Sequence, residues 1–308
     1  MMITILGPTA TGKTELAARI AHELNGEVIS ADSRQVYRGM TIGTGKDYDD
    51  YTVNAQKIPY HLIDIVDPGY EYNIFEYQKD FLNAYNDIIS RNKLPVLCGG
   101  SGMYLEAVLK GYKLEKPGDD DDFIASLEDK SDDELVEILK EYKTLHNITD
   151  FENRARLLNA IRIAHAANPH PASRIPLPES PSPFPAISST IFGISYPRGL
   201  VKARIRSRLE YRLEHGMVEE VERLLQEGIA VDRLMKYGLE YKFVTLFLLG
   251  KLSRQNLLDD LNIAIRQFAK RQMTWYRRME KQGLRIYWID GRLPLQKKVD
   301  EILWIVRD

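Results

Sequence analysis

The feature that most constrains the fold of this chain is the segment GPTATGKT at residues 7–14. It matches the phosphate-loop pattern G-x-x-x-x-G-K-[ST], which ends here in Lys13 and Thr14. An apolar run at 3–6 precedes it and predicts a buried strand, and residues 14–24 have the apolar spacing of an amphipathic helix. Such a loop needs this setting, because backbone N–H groups and a helix amino terminus together surround the phosphate. The segment therefore predicts an α/β domain that binds a di- or triphosphate.

We expect every residue of this loop to take part in diphosphate binding. Its backbone N–H groups would surround the phosphate oxygens, Lys13 would add a positive charge, and the Thr14 hydroxyl would bind Mg²⁺. The predicted diphosphate-binding residues are Gly7, Pro8, Thr9, Ala10, Thr11, Gly12, Lys13 and Thr14. The loop alone leaves the identity of the diphosphate open.

Further apolar runs predict the other strands of the domain, at 27–32, 61–67, 94–100, 189–196 and 284–290. Several of them follow helix-like segments, which is typical of repeated strand-helix units around a parallel sheet. Three long helical patterns occupy 199–228, 236–250 and 254–282. We predict a P-loop NTPase-like α/β core of three layers with a mainly parallel sheet.

The pattern changes at Lys116, where an acidic patch begins a helical stretch. Helices are predicted at 131–146 and 151–168, and residues 169–185 contain seven of the 14 prolines, which is typical of a stiff connector. We predict a helical insertion at 116–185 within a catalytic core formed by 1–115 and 186–308.

Cysteine content, hydropathy and charge narrow the class of protein further. The single cysteine, Cys98, cannot form an internal disulfide, and no apolar run approaches the ~20 residues that span a bilayer. We therefore expect a cytoplasmic protein with no membrane partner. Residues 201–308 carry 22 Lys and Arg against 15 Asp and Glu, whereas the first 200 residues carry 20 against 29. Any polyanion should therefore lie mainly along the carboxy-terminal third.

Asp32 follows a predicted strand and should face the phosphate site, because open α/β sheets bind ligands at the carboxyl ends of their strands. Three roles stay open for it: holding Mg²⁺ through water, acting as a general base, or capping a local turn. Ser101 lies in a second glycine-rich turn, CGGSGMYL at 98–105, which by itself is a weak signal.

Two carboxy-terminal helices are rich in arginine. In the first, Arg204 and Arg208 lie four residues apart on one face and Arg206 points elsewhere. In the second, Phe268 and Gln272 belong to a core stripe, with the basic residues on another side. A solvated charged face is the simplest interpretation of the second pattern.

Six segments in this order together resemble the tRNA dimethylallyltransferases, also called isopentenyl-diphosphate:tRNA transferases, of bacterial type. The segments are GPTATGKTELA, ISADSRQVYRGMTIGTGK, HLIDIVDP, GGSGMYLEAVLKG, RIRSRLEYRLEHGMVEEVERLL and AKRQMTWYRRM. The resemblance covers nearly the whole chain. It implies that the loop holds dimethylallyl diphosphate with Mg²⁺ instead of ATP. It also implies transfer of the allyl group to the exocyclic amine of the adenosine 3′-adjacent to the anticodon, in tRNAs that read codons starting with U.

The resemblance assigns roles to individual residues. Asp32 would accept the proton of the adenine amine, Thr9 would contact the diphosphate, and Arg208 would close over it. Asp32 and four further residues of the core would contact the tRNA near the target base, and two arginines of the insertion would contact the anticodon arm. These six residues are Ser33, Arg34, Gln35, Ser101, Arg154 and Arg156. We expect a monomer that binds the anticodon stem-loop.

The chain departs from the family pattern at three places. GTGKD at 43–47 replaces G-T-A-K-P, Asn159 replaces an arginine, and PRGL at 197–200 replaces a segment with Arg-Glu. No Cys/His pair follows the last predicted strand, so we expect a bacterial-type member without the zinc finger of eukaryotic members. Three other functions stay open on the residues alone: prenylation of free AMP, ADP or ATP, a small-molecule kinase, and an RNA-binding nucleotide switch.

Overall fold

The computed structural model describes residues 1–112, 114, 121–142, 154–167 and 184–307. The chain divides into two compact units. The first is built from Met1–Gly111 and Ala186–Asp308, and the second from Tyr112–Pro185.

A six-stranded parallel sheet forms the centre of the first unit, and a short hairpin lies outside it. The strands are β1 (Met2–Leu6), β2 (Gly26–Ala31), β3 (Thr52–Val53), β4 (Gln56–Lys57), β5 (Tyr60–His61), β6 (Leu94–Gly99), β7 (Ser189–Ser195) and β8 (Ile286–Asp290). Their order in the sheet is β5-β2-β6-β1-β7-β8, and β3 pairs with β4 in the hairpin. Every residue of β1 and β2 is buried, because helices cover both faces of the sheet.

Helices and the loops between them surround the strands. They are α1 (Lys13–Glu23), α2 (Ile74–Ser90), α3 (Gly102–Leu109), α4 (Asp121–Glu128), α5 (Asp132–Tyr142), α6 (Arg154–Ala167), α7 (Arg198–Glu214), α8 (Met217–Gln226), α9 (Val231–Leu234), α10 (Leu239–Leu248), α11 (Arg254–Lys281) and α12 (Leu295–Arg307). None of the helices in the described ranges is both long and apolar enough to cross a membrane.

Two hydrophobic clusters give the first unit its layers. One joins α1 and α12 to the sheet, with Leu16, Phe192 and Ile302 fully buried in it. The other packs α7, α8, α10 and α11 together around residues such as Leu209 and Leu261. A sheet between helical layers, with a phosphate loop after its central strand β1, confirms the predicted P-loop NTPase-like fold.

A buried carboxylate lies at the start of β2, and Arg91, Lys93 and His61 from neighbouring segments contact it. Glu27 is 2% exposed, and it accepts hydrogen bonds from Arg91 Nη2 at 2.8 Å and Lys93 Nζ at 2.7 Å, while His61 Nε2 lies 2.7 Å away. The hydrogen bonds from Arg91, followed by those from Lys93 and His61, hold the pKa of the Glu27 carboxyl well below its usual range. We call these four residues the Glu27 cluster.

The structure corrects two predicted elements and adds several, among them the hairpin of β3 and β4. The strand predicted at 61–67 ends at His61, because Leu62 and Asp64 adopt left-handed φ angles of 62° and 56° that leave the extended conformation. The helical pattern at 199–228 is two helices, since Gly216 has a φ of 97° between α7 and α8. Helix α12 has no counterpart among the predicted elements.

The second unit contains α4, α5 and α6, packed around leucine and isoleucine side chains such as Leu139 and Ile161. Ser131 and Glu134 form the reciprocal capping interaction that their spacing predicts at the start of α5. The Ser131 N–H donates to Glu134 Oε2 at 2.7 Å, and the Glu134 N–H donates to Ser131 Oγ at 3.3 Å. Most of the proline-rich segment at 169–185 lies outside the described residues.

Candidate active site

The phosphate loop connects β1 to α1 and is shaped by its own backbone. Gly12 precedes the helix with a φ of 75° and offers no side chain to cap it, so the first-turn N–H groups stay available to an anion. Lys13 Nζ donates to the Pro8 carbonyl at 3.0 Å, and Thr11 Oγ1 donates to the same oxygen at 2.8 Å. These bonds hold the loop curled with Lys13 folded over it.

Helix α11 holds the loop from behind through two buried side chains. The Thr9 N–H donates to Gln272 Oε1 at 2.9 Å, and Gln272 Nε2 donates to the Gly100 carbonyl at 2.8 Å. The Tyr276 hydroxyl donates to the Gly7 carbonyl at 3.0 Å. The phosphate loop and the glycine turn after β6 are thus bonded to one helix. Sequence reasoning placed Gln272 in a core stripe and missed this role, although a glutamine in such a stripe signals a buried hydrogen-bonding partner.

Helix α7 brings two arginines onto the loop, as the predicted common face of Arg204 and Arg208 requires. Arg204 Nε donates to the Ala10 carbonyl at 2.8 Å, and the Arg208 guanidinium donates to the Thr9 hydroxyl. Arg206 points away and pairs with Glu210 and Asp259. Burial, followed by the nearby Arg212, lowers the pKa of Arg208 to about 10.

Two cations lie at the loop, Lys13 and Arg208. Within the described residues, neither Lys13 nor Arg208 forms an ion pair with a carboxylate. Burial, together with the Arg208 charge, lowers the pKa of Lys13, and Asp32 opposes this effect. Positive charges held close together without a partner favour an anionic ligand between them.

These groups line one cavity of about 660 Å³ in the first unit. Thr9, Ala10, Thr11, Gly12, Lys13 and Thr14 form one part of its wall. Gly7 and Pro8 begin the loop and are not among the residues that line the cavity. Their carbonyls accept the bonds from Tyr276 and Lys13, and their part in diphosphate binding stays a prediction.

Asp32 reaches the same cavity from the carboxyl end of β2. Its Oδ1 accepts the Arg34 N–H at 3.0 Å, which is the local turn bond that the Asp-Ser pair suggested. Its second oxygen has no hydrogen-bond partner among the residues that the structure describes. The turn bond orients the carboxylate, and one oxygen remains for a ligand.

The residues predicted to contact tRNA beside Asp32 also line the cavity, but they differ in what they already bind. Ser101 Oγ accepts the Ser33 N–H at 3.0 Å, which joins the two turns. Gln35 is engaged at both ends of its amide: Oε1 accepts from Ser30 Oγ at 3.0 Å, and Nε2 donates to the Gly45 carbonyl at 3.1 Å. The Gln35 amide therefore links β2 to the loop at Gly45 in the cavity wall. The side chain of Arg34 has no hydrogen-bond partner within the described parts.

Two aromatic residues of α11 complete the wall. Arg271 lies over the ring of Phe268 at 5.8 Å, and Arg278 lies over the ring of Trp275 at 4.1 Å. Trp275 Nε1 is buried and has no hydrogen-bond partner in the described chain. Aromatic rings paired with arginines suit the faces of nucleic-acid bases.

The cavity also contains carboxylates that sequence reasoning did not identify. Burial raises the pKa of Glu240. Burial, followed by the charge of Asp47, raises the pKa of Asp50 to about 6. Asp47 itself lies 3.4 Å from Arg212. The departure GTGKD was the only sequence signal for this acidic segment.

Arg154 and Arg156 belong to α6 of the second unit. Arg154 pairs with Asp132 at 2.8 Å and donates to the Glu128 carbonyl at 2.7 Å, so it closes the end of its own bundle. Arg156 is exposed, as is Asn159 one turn further along. Their contact with RNA stays a prediction.

The fold and the cavity define a class: this is a P-loop protein whose cavity is lined by Lys13 and Arg208 and by the carboxylate of Asp32. A family model described as IPP transferase matches residues 35–279, and one described as isopentenyl transferase matches residues 1–61.

Two relatives and one solved structure match almost the full chain. The protein of Phocaeicola vulgatus named tRNA dimethylallyltransferase 2 is 53% identical over 302 residues, which are 98% of this chain and 96% of the relative. A Bacteroides fragilis protein of the same name is 52% identical over 299 residues, 97% of this chain and 95% of its own length. The crystal structure of the full-length tRNA isopentenylpyrophosphate transferase of Bacillus halodurans has a TM-score of 0.71 and 29% identity, and the match covers 99% of this chain and 95% of that one.

This chain belongs to the tRNA dimethylallyltransferase family. The resemblance carried by the six sequence segments is thereby confirmed.

Proposed function

We propose that this protein transfers a dimethylallyl group from dimethylallyl diphosphate to the exocyclic amine of the adenosine 3′-adjacent to the anticodon, in tRNAs that read codons starting with U, and that it releases diphosphate. One observation carries the proposal: Lys13, Arg208 and the loop amides line the same 660 Å³ cavity as Asp32. A diphosphate and a base that loses a proton need these two kinds of group within one enclosure.

The diphosphate is the leaving group, and its binding is the main catalytic task. Loss of diphosphate from an allylic carbon leaves a resonance-stabilised cation, so the barrier falls as negative charge on the leaving oxygens is stabilised. Lys13, the uncapped amino terminus of α1 and Arg208 supply positive charge at fixed positions. Thr9 places its hydroxyl under the Arg208 guanidinium, which keeps that guanidinium directed toward the loop.

Mg²⁺ fits the loop by the chemistry of its donors. The Thr14 hydroxyl lines the cavity and has no hydrogen-bond partner among the described residues, and Mg²⁺ prefers oxygen ligands together with substrate phosphates. When bound there, the ion would neutralise charge on the diphosphate. Within the described ranges, no group of three or more His, Cys, Asp or Glu side chains could hold a metal ion alone, so the substrate phosphates would supply most ligands.

Asp32 accepts the amine proton. The adenine amine is a weak nucleophile, and its proton becomes acidic only as the new C–N bond forms, so a carboxylate bonded to it acts mainly in the transition state. The Arg34 N–H bond on Oδ1 leaves Oδ2 for the amine. The base has to leave the anticodon stack to enter the cavity, where Phe268 and Trp275 offer ring faces. The insertion at 116–185 would grip the anticodon arm of a tRNA bound to a monomeric enzyme.

The test combines the protein with dimethylallyl diphosphate, Mg²⁺ and an unmodified anticodon stem-loop, followed by nucleoside digestion and mass spectrometry. Prenylated adenosine at the position after the anticodon is the expected product. Asp32→Asn should lower turnover by about 10²–10⁴-fold and leave RNA binding largely intact. Asp49→Asn, at an exposed aspartate outside the cavity wall, is the matched control and should keep the parental rate.

Two results would overturn the proposal. No prenylated nucleoside with a competent stem-loop would reject the reaction, and a parental rate in Asp32→Asn would reject the role of the carboxylate. Free AMP and ATP serve as parallel acceptors. Prenylation of these in preference to RNA, or ATP hydrolysis without the isoprenoid donor, would assign the site to a different substrate.

A further inference from the structure

The strand beside the phosphate loop lacks the acidic residue that usually completes a P-loop metal site. In P-loop NTPases, Mg²⁺ is held by the Ser or Thr of the loop and by a further aspartate. Here β6 pairs with β1, with Cys98 opposite Ile5 and Gly99 opposite Leu6, so a buried thiol stands at the end of this strand. A neutral thiol is a poor ligand for Mg²⁺, which prefers oxygen.

A carboxylate from another segment lines the same cavity. Asp50 belongs to the 3₁₀ turn Tyr48–Tyr51, and it lines the cavity together with Thr14 and Cys98. The next residue anchors the turn: Tyr51 is 3% exposed, and its carbonyl accepts the Ile58 N–H at 2.7 Å. Asp50 is therefore carried by a fixed backbone.

The Asp50 carboxylate is unpaired in a crowded acidic environment. It has no hydrogen bond or ion pair with any other described side chain. It is partly buried, and the carboxylates of Asp47 and Glu15 act on it unfavourably. A divalent cation would relieve this repulsion, whereas a purely structural aspartate would be expected to have a donor.

Three other described acids line the same cavity, Asp32, Asp47 and Glu240. Asp47 pairs with Arg212, and Asp32 accepts the Arg34 N–H with one oxygen and is assigned to the adenine amine with the other. Burial raises the pKa of Glu240, and the nearby charges of Arg212 and Arg208 oppose that effect. Asp50 is a described acid of the cavity wall with neither a side-chain donor nor a cation beside it.

We infer that Asp50 is a metal-positioning residue of this active site, whose carboxylate binds the hydration shell of the Mg²⁺ ion that the Thr14 hydroxyl holds on the diphosphate. Mg²⁺ keeps several of its waters when it binds proteins, so a carboxylate that orients these waters also orients the ion. The inference rests on the proposed function only in taking diphosphate as the ligand of the loop.

The experiment measures metal-linked binding without prenyl transfer. Inorganic pyrophosphate is titrated calorimetrically into the full-length protein in EDTA and again at one fixed Mg²⁺ concentration, and Mn²⁺ binding to the pyrophosphate complex is followed by electron paramagnetic resonance. Asp50→Asn should weaken Mn²⁺ binding by about 10–100-fold and reduce the tightening of pyrophosphate by Mg²⁺, with the Kd in EDTA unchanged. Thr14→Ala should show the same loss, and Asp49→Asn should match the parent.

Three outcomes would overturn the inference. Mn²⁺ affinity of Asp50→Asn within about twofold of the parent would remove any metal role. An equal loss in Asp49→Asn would show a general charge effect. A weaker Kd for pyrophosphate in EDTA would show that Asp50 shapes the loop instead. The same measurements separate this inference from the proposed function, because metal-linked pyrophosphate binding that depends on Asp50 would stand even if no tRNA were prenylated.

Discussion

Replacing Glu220 by Gln tests how the loop at 41–45 is held against the helices of the core. Glu220 is 8% exposed in α8, and its carboxylate accepts four hydrogen bonds. Oε2 accepts the N–H groups of Thr41 at 2.8 Å and Ile42 at 2.7 Å. Oε1 accepts the Gly43 N–H at 3.0 Å and the Tyr241 hydroxyl at 2.6 Å.

The cost of the substitution follows from this geometry. If the NH₂ group of the glutamine takes the place of Oε2, it faces the N–H groups of Thr41 and Ile42, which can donate but cannot accept a hydrogen bond. If it takes the place of Oε1, it faces only one such donor, the Gly43 N–H, because the Tyr241 hydroxyl can turn and accept. One orphaned N–H costs about 1–3 kcal/mol, and loss of charge at the two remaining backbone bonds costs about 1 kcal/mol each. We expect the free energy of unfolding to fall by about 3–5 kcal/mol.

The assay can report on the first unit alone. All three tryptophans, Trp275, Trp288 and Trp304, belong to this unit, so urea unfolding followed by tryptophan fluorescence records its transition. Glu219→Gln, at the exposed neighbour on the same helix, should change stability by no more than about 0.5 kcal/mol. A loss below about 1 kcal/mol in Glu220→Gln would refute the reasoning, because it would mean that the three N–H groups find other acceptors.

Three further predictions concern charges and a thiol of the first unit. Glu27→Gln should flatten the acid side of the stability–pH profile. The ionised Glu27 carboxylate stabilises the native state fully above about pH 4.3, the pKa of a glutamate in the unfolded chain. This stabilisation is lost as the pH falls toward the lowered pKa of Glu27 in the folded state. Urea midpoints measured over a pH series check this, and parallel profiles would contradict the role of the Glu27 cluster. Burial raises the pKa of Cys98 to about 12, so its thiol should resist iodoacetamide until the protein unfolds. Mass spectrometry checks the labelling, and a free-thiol rate in the native protein would refute it. Arg208→Gln should weaken pyrophosphate binding by about 10–100-fold in calorimetry. Arg206→Gln, whose guanidinium is paired outside the cavity, is its control, and equal losses would exclude a specific contact.

Local patterns predicted most regular elements of the core because their physical causes are local. The strand at β1, the loop from Gly7 to Thr14 and the helix α1 follow from apolar spacing and glycine positions within one short stretch. The strand predicted at 61–67 is wrong after His61. The apolar residues that follow do pack against the core, but their backbone is irregular and not extended. Apolar alternation cannot distinguish these two ways of burying a side chain.

The arginine helix shows the same limit for the site. The spacing of Arg204 and Arg208 predicted a shared face, and the structure confirms it. That this face meets the phosphate loop depends on contacts across about 200 positions of sequence, which no local pattern contains.

By itself, the sequence determined a phosphate loop between a strand and a helix, a parallel α/β core, an acid after the second strand, and membership in a family, because each of these is written in neighbouring residues. Tertiary structure alone decided that Gln272 holds the loop, that the Gln35 amide donates to the Gly45 carbonyl, and that Asp50 lines the same cavity as Thr14. These relations join distant segments, so they exist only once burial of the core has paid the entropy of bringing those segments together.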